Sequence, residues 1–144
     1  MKLTDAYDDN NIFAKILRGE IPSITLYEDD TTLAFMDIMP QAEGHCLVIP
    51  KLACTNFLTI TPQAAAQCIA TAHKIAPAVQ RAVAATGFMV LQLNGADAGQ
   101  TVPHYHIHIV PRHAGLDIKF HAREPENMDV LNATADKIRA ELGG

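Results

Sequence analysis

Residues 104 to 112 read HYHIHIVPR, with histidine at 104, 106 and 108 and tyrosine or isoleucine in the gaps. Histidine has the unperturbed pKa nearest neutral pH, about 6.5, so three in phase gather acid–base and nucleophilic capacity in one place. On a strand, side chains alternate between faces. His104, His106 and His108 are therefore predicted to share one face, with Tyr105, Ile107 and Ile109 pointing toward the core. Three uses fit that pattern. One is a solvated sheet face, although histidine is not a favoured strand residue. Another is zinc, but positions i and i+4 on a strand lie about 13 Å apart, too far to share Zn–N bonds of about 2 Å. A metal would take two of the three and recruit another ligand, such as His45, and no acidic residue within the run completes the set. The third use is an anion site. A neutral imidazole attacks phosphorus and forms a covalent intermediate, while its neighbours donate hydrogen bonds to the non-bridging oxygens or move a proton.

The loop before the histidines favours the third use. NGADAGQT, residues 94 to 101, is rich in glycine and small residues, so its backbone can approach a ligand closely. Successive N–H groups in such a turn can form an anion-binding nest. Asn94, Gln100 and Thr101 offer polar side chains beside it, and Arg112 adds a cation at the end of the histidine run.

The rest of the chain must position these groups. NIFAKILRGEIP reads as a short helix, with Asn11 as N-cap, apolar Ile12, Phe13 and Ile16, Gly19 as a stop and Pro22 beyond. ITLYEDDTTLAFMDI alternates on both sides of Asp29-Asp30 and predicts a hairpin, and HCLVIP predicts a central strand. Thr61-Pro62 starts a long amphipathic helix whose small-residue face runs through Cys68/Ile69, Ala72, Ile75/Ala76, Val79 and Ala82/Val83 to a stop at Gly87. Pro77 is expected to kink it. FMVLQLN and HYHIHIV read as strands, and PENMDVLNATADKIRAEL as a C-terminal helix before Gly143-Gly144. His73 falls off the apolar face of the long helix, while His113 and His121 follow the triad without an assignable role. Meander-like strands with helices packed to one side predict an α+β fold and a mainly antiparallel sheet.

Composition narrows the function. A chain of 144 residues without repeats or a Gly/Ser-rich linker reads as one domain, residues 1–144, with apolar and charged fractions of a soluble protein. No apolar run approaches the roughly 20 residues needed to span a bilayer, and the polar, acidic start MKLTDAYDDNN lacks the core of a secretory signal. A formal net charge of −5 argues against a nucleic-acid polymer as partner. Cys46, Cys54 and Cys68 are odd in number and form no CxxC pair, as expected for reduced thiols in the cytoplasm.

HYHIHIV is a histidine-triad motif, and the chain resembles small bacterial histidine-triad proteins. The resemblance rests on IFAKILRGEIP, LAFMDIMPQAEGHCLVIPK and NGADAGQTVPHYHIHIVPR, in the family's order. It implies a five-stranded, mainly antiparallel sheet with one short, one long and one C-terminal helix. It also implies pairing with a second copy into one continuous sheet, and a nucleotide site that cleaves at the α-phosphate without a metal or other cofactor. By position, His106 would be the nucleophile that becomes nucleotidylated. His108 would contact the phosphate and assist the leaving group, with His104 and His45 supporting and orienting His106. Asn94, Gly99, Gln100 and Thr101 would hold the phosphate, Asp37 the ribose hydroxyls, and Ile12, Phe13, Ile16, Phe35 and Ile38 would wall the base. For Asp37 a strand-end cap, and for the apolar five plain core packing, are the alternatives. Many relatives carry Cys-x-x-Cys where this chain has Asn11 and Ala14, and histidine where it has Ala53. In some relatives these positions hold a structural zinc, so their substitution here implies a chain that does without it.

The expected activity is hydrolysis or transfer at purine nucleoside 5′-phosphoramidates or related AMP conjugates. A dinucleoside polyphosphate hydrolase, a nucleotide-binding protein with vestigial catalysis and a metalloprotein are the rivals.

Overall fold

The computed structural model describes residues 1–115 and 125–143. Its elements are α1 (Ile12–Leu17), β1 (Thr25–Glu28), β2 (Thr32–Met36), β3 (Cys46–Pro50), α2 (Pro62–Val83), β4 (Gly87–Gln92), β5 (Ile107–Arg112) and α3 (Met128–Gly143). Five antiparallel strands lie in the order β1-β2-β3-β5-β4, so the fold is α+β with an open sheet. The order is not a simple meander, because β5 inserts between β3 and β4. His121 lies outside the described residues.

Local chemistry sets the element ends. Asn11 caps α1 by accepting the Ala14 N–H, and Thr61 does the same for Ala64 at the start of α2, with Pro62 supplying a helical φ. The helix runs unbroken through Pro77 but stops at Val83, short of the expected Gly87. Ala84 takes a left-handed φ of 52°, and the N–H groups of Ala84 and Ala85 turn back to the carbonyls of Arg81 and Gln80. His113 finds a role there, donating from Nε2 to the Val83 carbonyl at 2.9 Å. His73 is exposed as expected, and so is Ile69, at 53%, against the expected burial.

Alternation along the strands divides the core in two. Ala34, Met36, Cys46, Val48, Ile107 and Ile109 face α2 and α3, where Cys68, Ala72, Ile75 and Val79 bring the long helix close. The intervening residues Leu33, Phe35, Leu47 and Ile49 face the other way and are covered by Phe13 of α1, whose ring meets Phe35 edge-on at 5.4 Å. The helices therefore do not all pack to one side, because α1 takes the opposite face. There it forms the wall of a cavity. Gly44 enters β3 at a φ of +88°, where a Cβ would lie 3.1 Å from Pro111 and 3.2 Å from Val83. Only glycine lets the chain pass β5 and α2 so closely before His45.

Candidate active site

The triad is half strand and half lead-in. β5 begins at Ile107, so His104 and His106 precede the ladder, and only His108 is paired, opposite Leu47 of β3. The expectation of three histidines on one strand face is corrected accordingly. His106 and His108 lie together with ring centroids 4.9 Å apart, whereas the fully buried His104 turns its ring toward Tyr7 of the N-terminal segment.

Hydrogen bonding sets each ring's tautomer, because a neutral imidazole donates from one nitrogen and accepts at the other. His104 Nε2 faces the Pro50 carbonyl at 2.8 Å and must donate, so Nδ1 accepts from the Tyr7 hydroxyl at 2.7 Å. His106 Nδ1 donates to the His104 carbonyl at 2.7 Å, leaving the Nε2 lone pair free. His45 Nδ1 accepts the Gln41 N–H at 3.0 Å, so its proton sits on Nε2. That N–H reaches His108 Nδ1 at 3.0 Å and lies 3.4 Å from Asp37 Oδ2. His108 therefore accepts at Nδ1 and carries its own proton on Nε2. Of the two supports expected for His106, His104 acts through its main-chain carbonyl, while His45 orients His108 instead.

Burial keeps all four rings uncharged at neutral pH. It pushes His45 and His104 down to about 4 and His108 to about 3, and His106 is lowered by the same cause. Electrostatic coupling to His106 lowers the first three further. Asp37 moves the other way, raised by burial to about 6, and its Oδ1 accepts the Met39 N–H at 2.8 Å. All three cysteines are buried and their thiols are pushed up to about 11 or 12, so they remain protonated and unreactive.

Asp37, His45 and His108 bring ligand atoms within 4.8 Å of one another, and Asp37 is the acidic residue the histidine run lacks. The set nevertheless does not fit a metal. Both His45 nitrogens are committed, one as acceptor from Gln41 and one as donor, and the His108 nitrogen facing it accepts that hydrogen bond. A cation there would have to break the Gln41 bond to free a lone pair.

The rings open on a cavity of about 350 Å³. Ile12, Phe13, Ile16, Phe35 and Ile38 line it together with Asp37, Gly99, Thr101, His45, His106 and His108. Phe13 and Phe35 are buried, while Ile12 and Ile38 are 53% and 54% exposed at its mouth, more than a purely structural core residue would be. Ile21, Pro22, Ser23, Met36, Met39, Gln41, Leu47, Leu93 and Val102 also line it, and the sequence assigns them no binding role.

Asn94 and Gln100 are not in that lining. Asn94 pairs its amide reciprocally with Gln92 and accepts the Phe57 N–H at 2.7 Å. Gln100 is buried, accepts the Gly95 N–H at 2.8 Å and donates to the carbonyls of Thr55 and Val102 at 2.7 and 3.1 Å. Both brace the loop rather than address the cavity. Of the N–H groups in the expected nest, those of Gly95, Ala98, Gly99 and Gln100 are bonded within the loop. Arg112 is also absent from the cavity lining.

Residues 18–115 match the HIT domain family model. The chain is 40% identical over 132 residues to the protein named hit of Bacillus subtilis, covering 88% of this chain and 91% of that one. It is 36% identical over 136 residues to adenosine 5′-monophosphoramidase HNT1 of Saccharomyces cerevisiae, covering 92% and 83%. The crystal structure of a Hit-like protein involved in cell-cycle regulation from Bartonella henselae superimposes with a TM-score of 0.88 at 48% identity, covering 94% of this chain and 99% of that one.

Proposed function

The chain belongs to the HIT-domain family, and from that premise we propose that it hydrolyses purine nucleoside 5′-phosphoramidates or related AMP conjugates through a nucleotidylated His106. One observation carries the reading: the neutral His106 ring is tied at Nδ1 to the His104 carbonyl, so Nε2 has a lone pair, and His106 lines the cavity beside His108. His106 Nε2 attacks the α-phosphorus as the bond to the leaving group breaks. The leaving atom keeps the electron pair and takes a proton from solvent as it departs, while His108 Nε2–H donates a hydrogen bond to the phosphate beside it. The His45 N–H at His108 Nδ1 fixes that ring in the tautomer that presents Nε2–H to the phosphate. Water then attacks phosphorus, the N–P bond breaks, AMP departs, and the water's surplus proton leaves to solvent, balancing the one taken up by the leaving group. The apolar slot from Ile12 to Ile38 suits the faces of a purine, and Asp37 supplies acceptors for the ribose hydroxyls at its edge.

The charge of the lining favours a small leaving group over a polyphosphate. No lysine or arginine lines the cavity among the described residues, and the histidines are neutral. A single α-phosphate needs only hydrogen bonds, whereas a polyphosphate chain brings several more negative charges without a counterion. AMP release from adenosine 5′-phosphoramidate is therefore expected to exceed that from diadenosine tetraphosphate by at least about 100-fold in kcat/KM, and to be unchanged by a chelator. A faster tetraphosphate reaction would move the chain to the polyphosphate branch. AMP binding without turnover of either compound would make it a binding protein.

The proposal includes a second copy of the chain. β4 is an edge strand, and Phe88 and Val90 project from it 47% exposed. Light scattering is expected to give twice the 15.6 kDa of one chain, and a monomer at micromolar concentration would remove that part of the reading. No helix among the described residues is long and apolar enough to cross a membrane.

A further inference from the structure

We infer that Tyr7 and Asn11, outside the matched domain, form a positioning device for the nucleophile, holding the His104 ring so that its carbonyl receives the His106 proton. The inference rests on the reading of His106 as nucleophile. Residues 104 to 106 precede the ladder of β5, so strand pairing does not aim the His104 carbonyl. Its main chain is held by one local and one long-range bond instead, His104 N–H to the Val102 carbonyl and Tyr105 N–H to the Cys54 carbonyl, each at 2.9 Å. The ring adds the side-chain clamp, gripped at Nε2 by the Pro50 carbonyl and at Nδ1 by the Tyr7 hydroxyl.

The direction of each bond is determined. Pro50 O only accepts, so His104 Nε2 donates and Nδ1 needs a donor. Tyr7 supplies one, because its own oxygen is already served by Asn11 Nδ2 at 3.0 Å, which leaves the hydroxyl proton to point at His104. Asn11 is oriented in turn by capping α1 through Oδ1 and by donating to the Asp8 carbonyl at 2.7 Å. The Tyr7 ring meets His104 edge-on at 5.7 Å, and burial raises the phenol above its ordinary value, so it stays protonated. The same segment is strapped down elsewhere, with the Leu3 carbonyl accepting from Asn56 Nδ2 at 2.9 Å.

Without the Tyr7 hydroxyl, a fully buried ring has a bare acceptor and one attachment instead of two. The side chain is then anchored at Nε2 alone, residue 104 is left to its Val102 and Cys54 main-chain bonds, and the acceptor for His106 Nδ1–H is less firmly placed. The His106 Nε2 lone pair is then present only part of the time. Tyr7 is a positioning residue and not a catalytic one, since the cavity lining does not include it.

Two variants test this. Tyr7→Phe keeps the ring and removes the hydroxyl. Asn11→Asp keeps the cap acceptor for Ala14 but turns the amide donor into an acceptor that draws the Tyr7 proton away from His104. Imidazole ¹⁵N correlation spectra of the full chain are expected to show His106 as one Nδ1–H tautomer in the wild type and as a mixture in both variants. With adenosine 5′-phosphoramidate, kcat is expected to fall about tenfold, per AMP-binding site counted by calorimetry, with KM changed less than about twofold. A merely structural loss would lower the number of binding sites and leave the His106 tautomer alone. If His106 keeps the single Nδ1–H form in both variants, the inference is overturned whatever the rates. An inactive wild type would overturn the hydrolase reading instead, and the spectra would still decide the role of Tyr7.

Discussion

His106→Asn is expected to lower kcat for AMP release from adenosine 5′-phosphoramidate by at least about four orders of magnitude, while AMP still binds. The asparagine amide can keep the donor to the His104 carbonyl that His106 Nδ1 now makes at 2.7 Å, so the loop entering β5 should hold its shape. It has no basic lone pair to offer phosphorus. His108 cannot take over, because its Nδ1 receives the His45 proton at 3.0 Å and its Nε2 carries hydrogen. Any residual rate would come from water held against a bound phosphate. The double variant His106→Asn/His108→Asn should lose little more than His106→Asn alone, since groups that act as a unit are not additive. A loss of less than about tenfold in kcat would sink the covalent mechanism, and trapping of nucleotide on another residue would relocate it.

Stability is expected to fall steeply in mild acid, by about 3 kcal/mol per pH unit between roughly pH 6 and 4.5. His45, His104 and His108 titrate at about 4, 4 and 3 in the folded chain against 6.5 when free in water. Below pH 6.5 the unfolded chain takes up three protons that the folded chain refuses, so folding weakens as pH falls until the folded values are reached. Asp37 opposes this. Raised to about 6 from 3.8, it binds its proton in the folded state first and favours folding at lower pH. Three protons against one leaves about two in favour of unfolding, at about 1.4 kcal/mol per proton per pH unit. His106 shifts in the same direction as the other histidines and adds to the slope. Against a total stability on the order of 5–15 kcal/mol, this is enough to unfold the chain near pH 4 to 5. Urea titrations at pH 7, 6 and 5 measure it directly. A free energy that stays level across that range would mean the rings are solvated and charge freely, and their assigned tautomers would fall with them.

The elements were legible from the chain alone because their signals are periodic or local. Alternation marks the strands, Thr61-Pro62 opens α2, and Asn11 caps α1, each within a few residues. The triad was legible for the same reason, as residue type at fixed spacing. Ends set by three-dimensional crowding were less so: Ala84 stops α2 in a left-handed turn that ordinarily favours glycine, and Gly87 opens a strand instead.

The chain alone was enough for the α+β architecture, the histidine motif and the family, because patterning, capping and motif spacing are properties of neighbours along the chain. Only the tertiary structure decided which nitrogen of each ring carries the proton. His45 meets His108 across 63 residues and Tyr7 meets His104 across 97, and no local pattern records such a pairing. It likewise decided that Asn94 and Gln100 spend their amides bracing the loop and that α1 crosses to the far face of the sheet to wall the cavity. A side chain's chemistry is set by the partners that satisfy it after folding, and burial makes those partners obligatory.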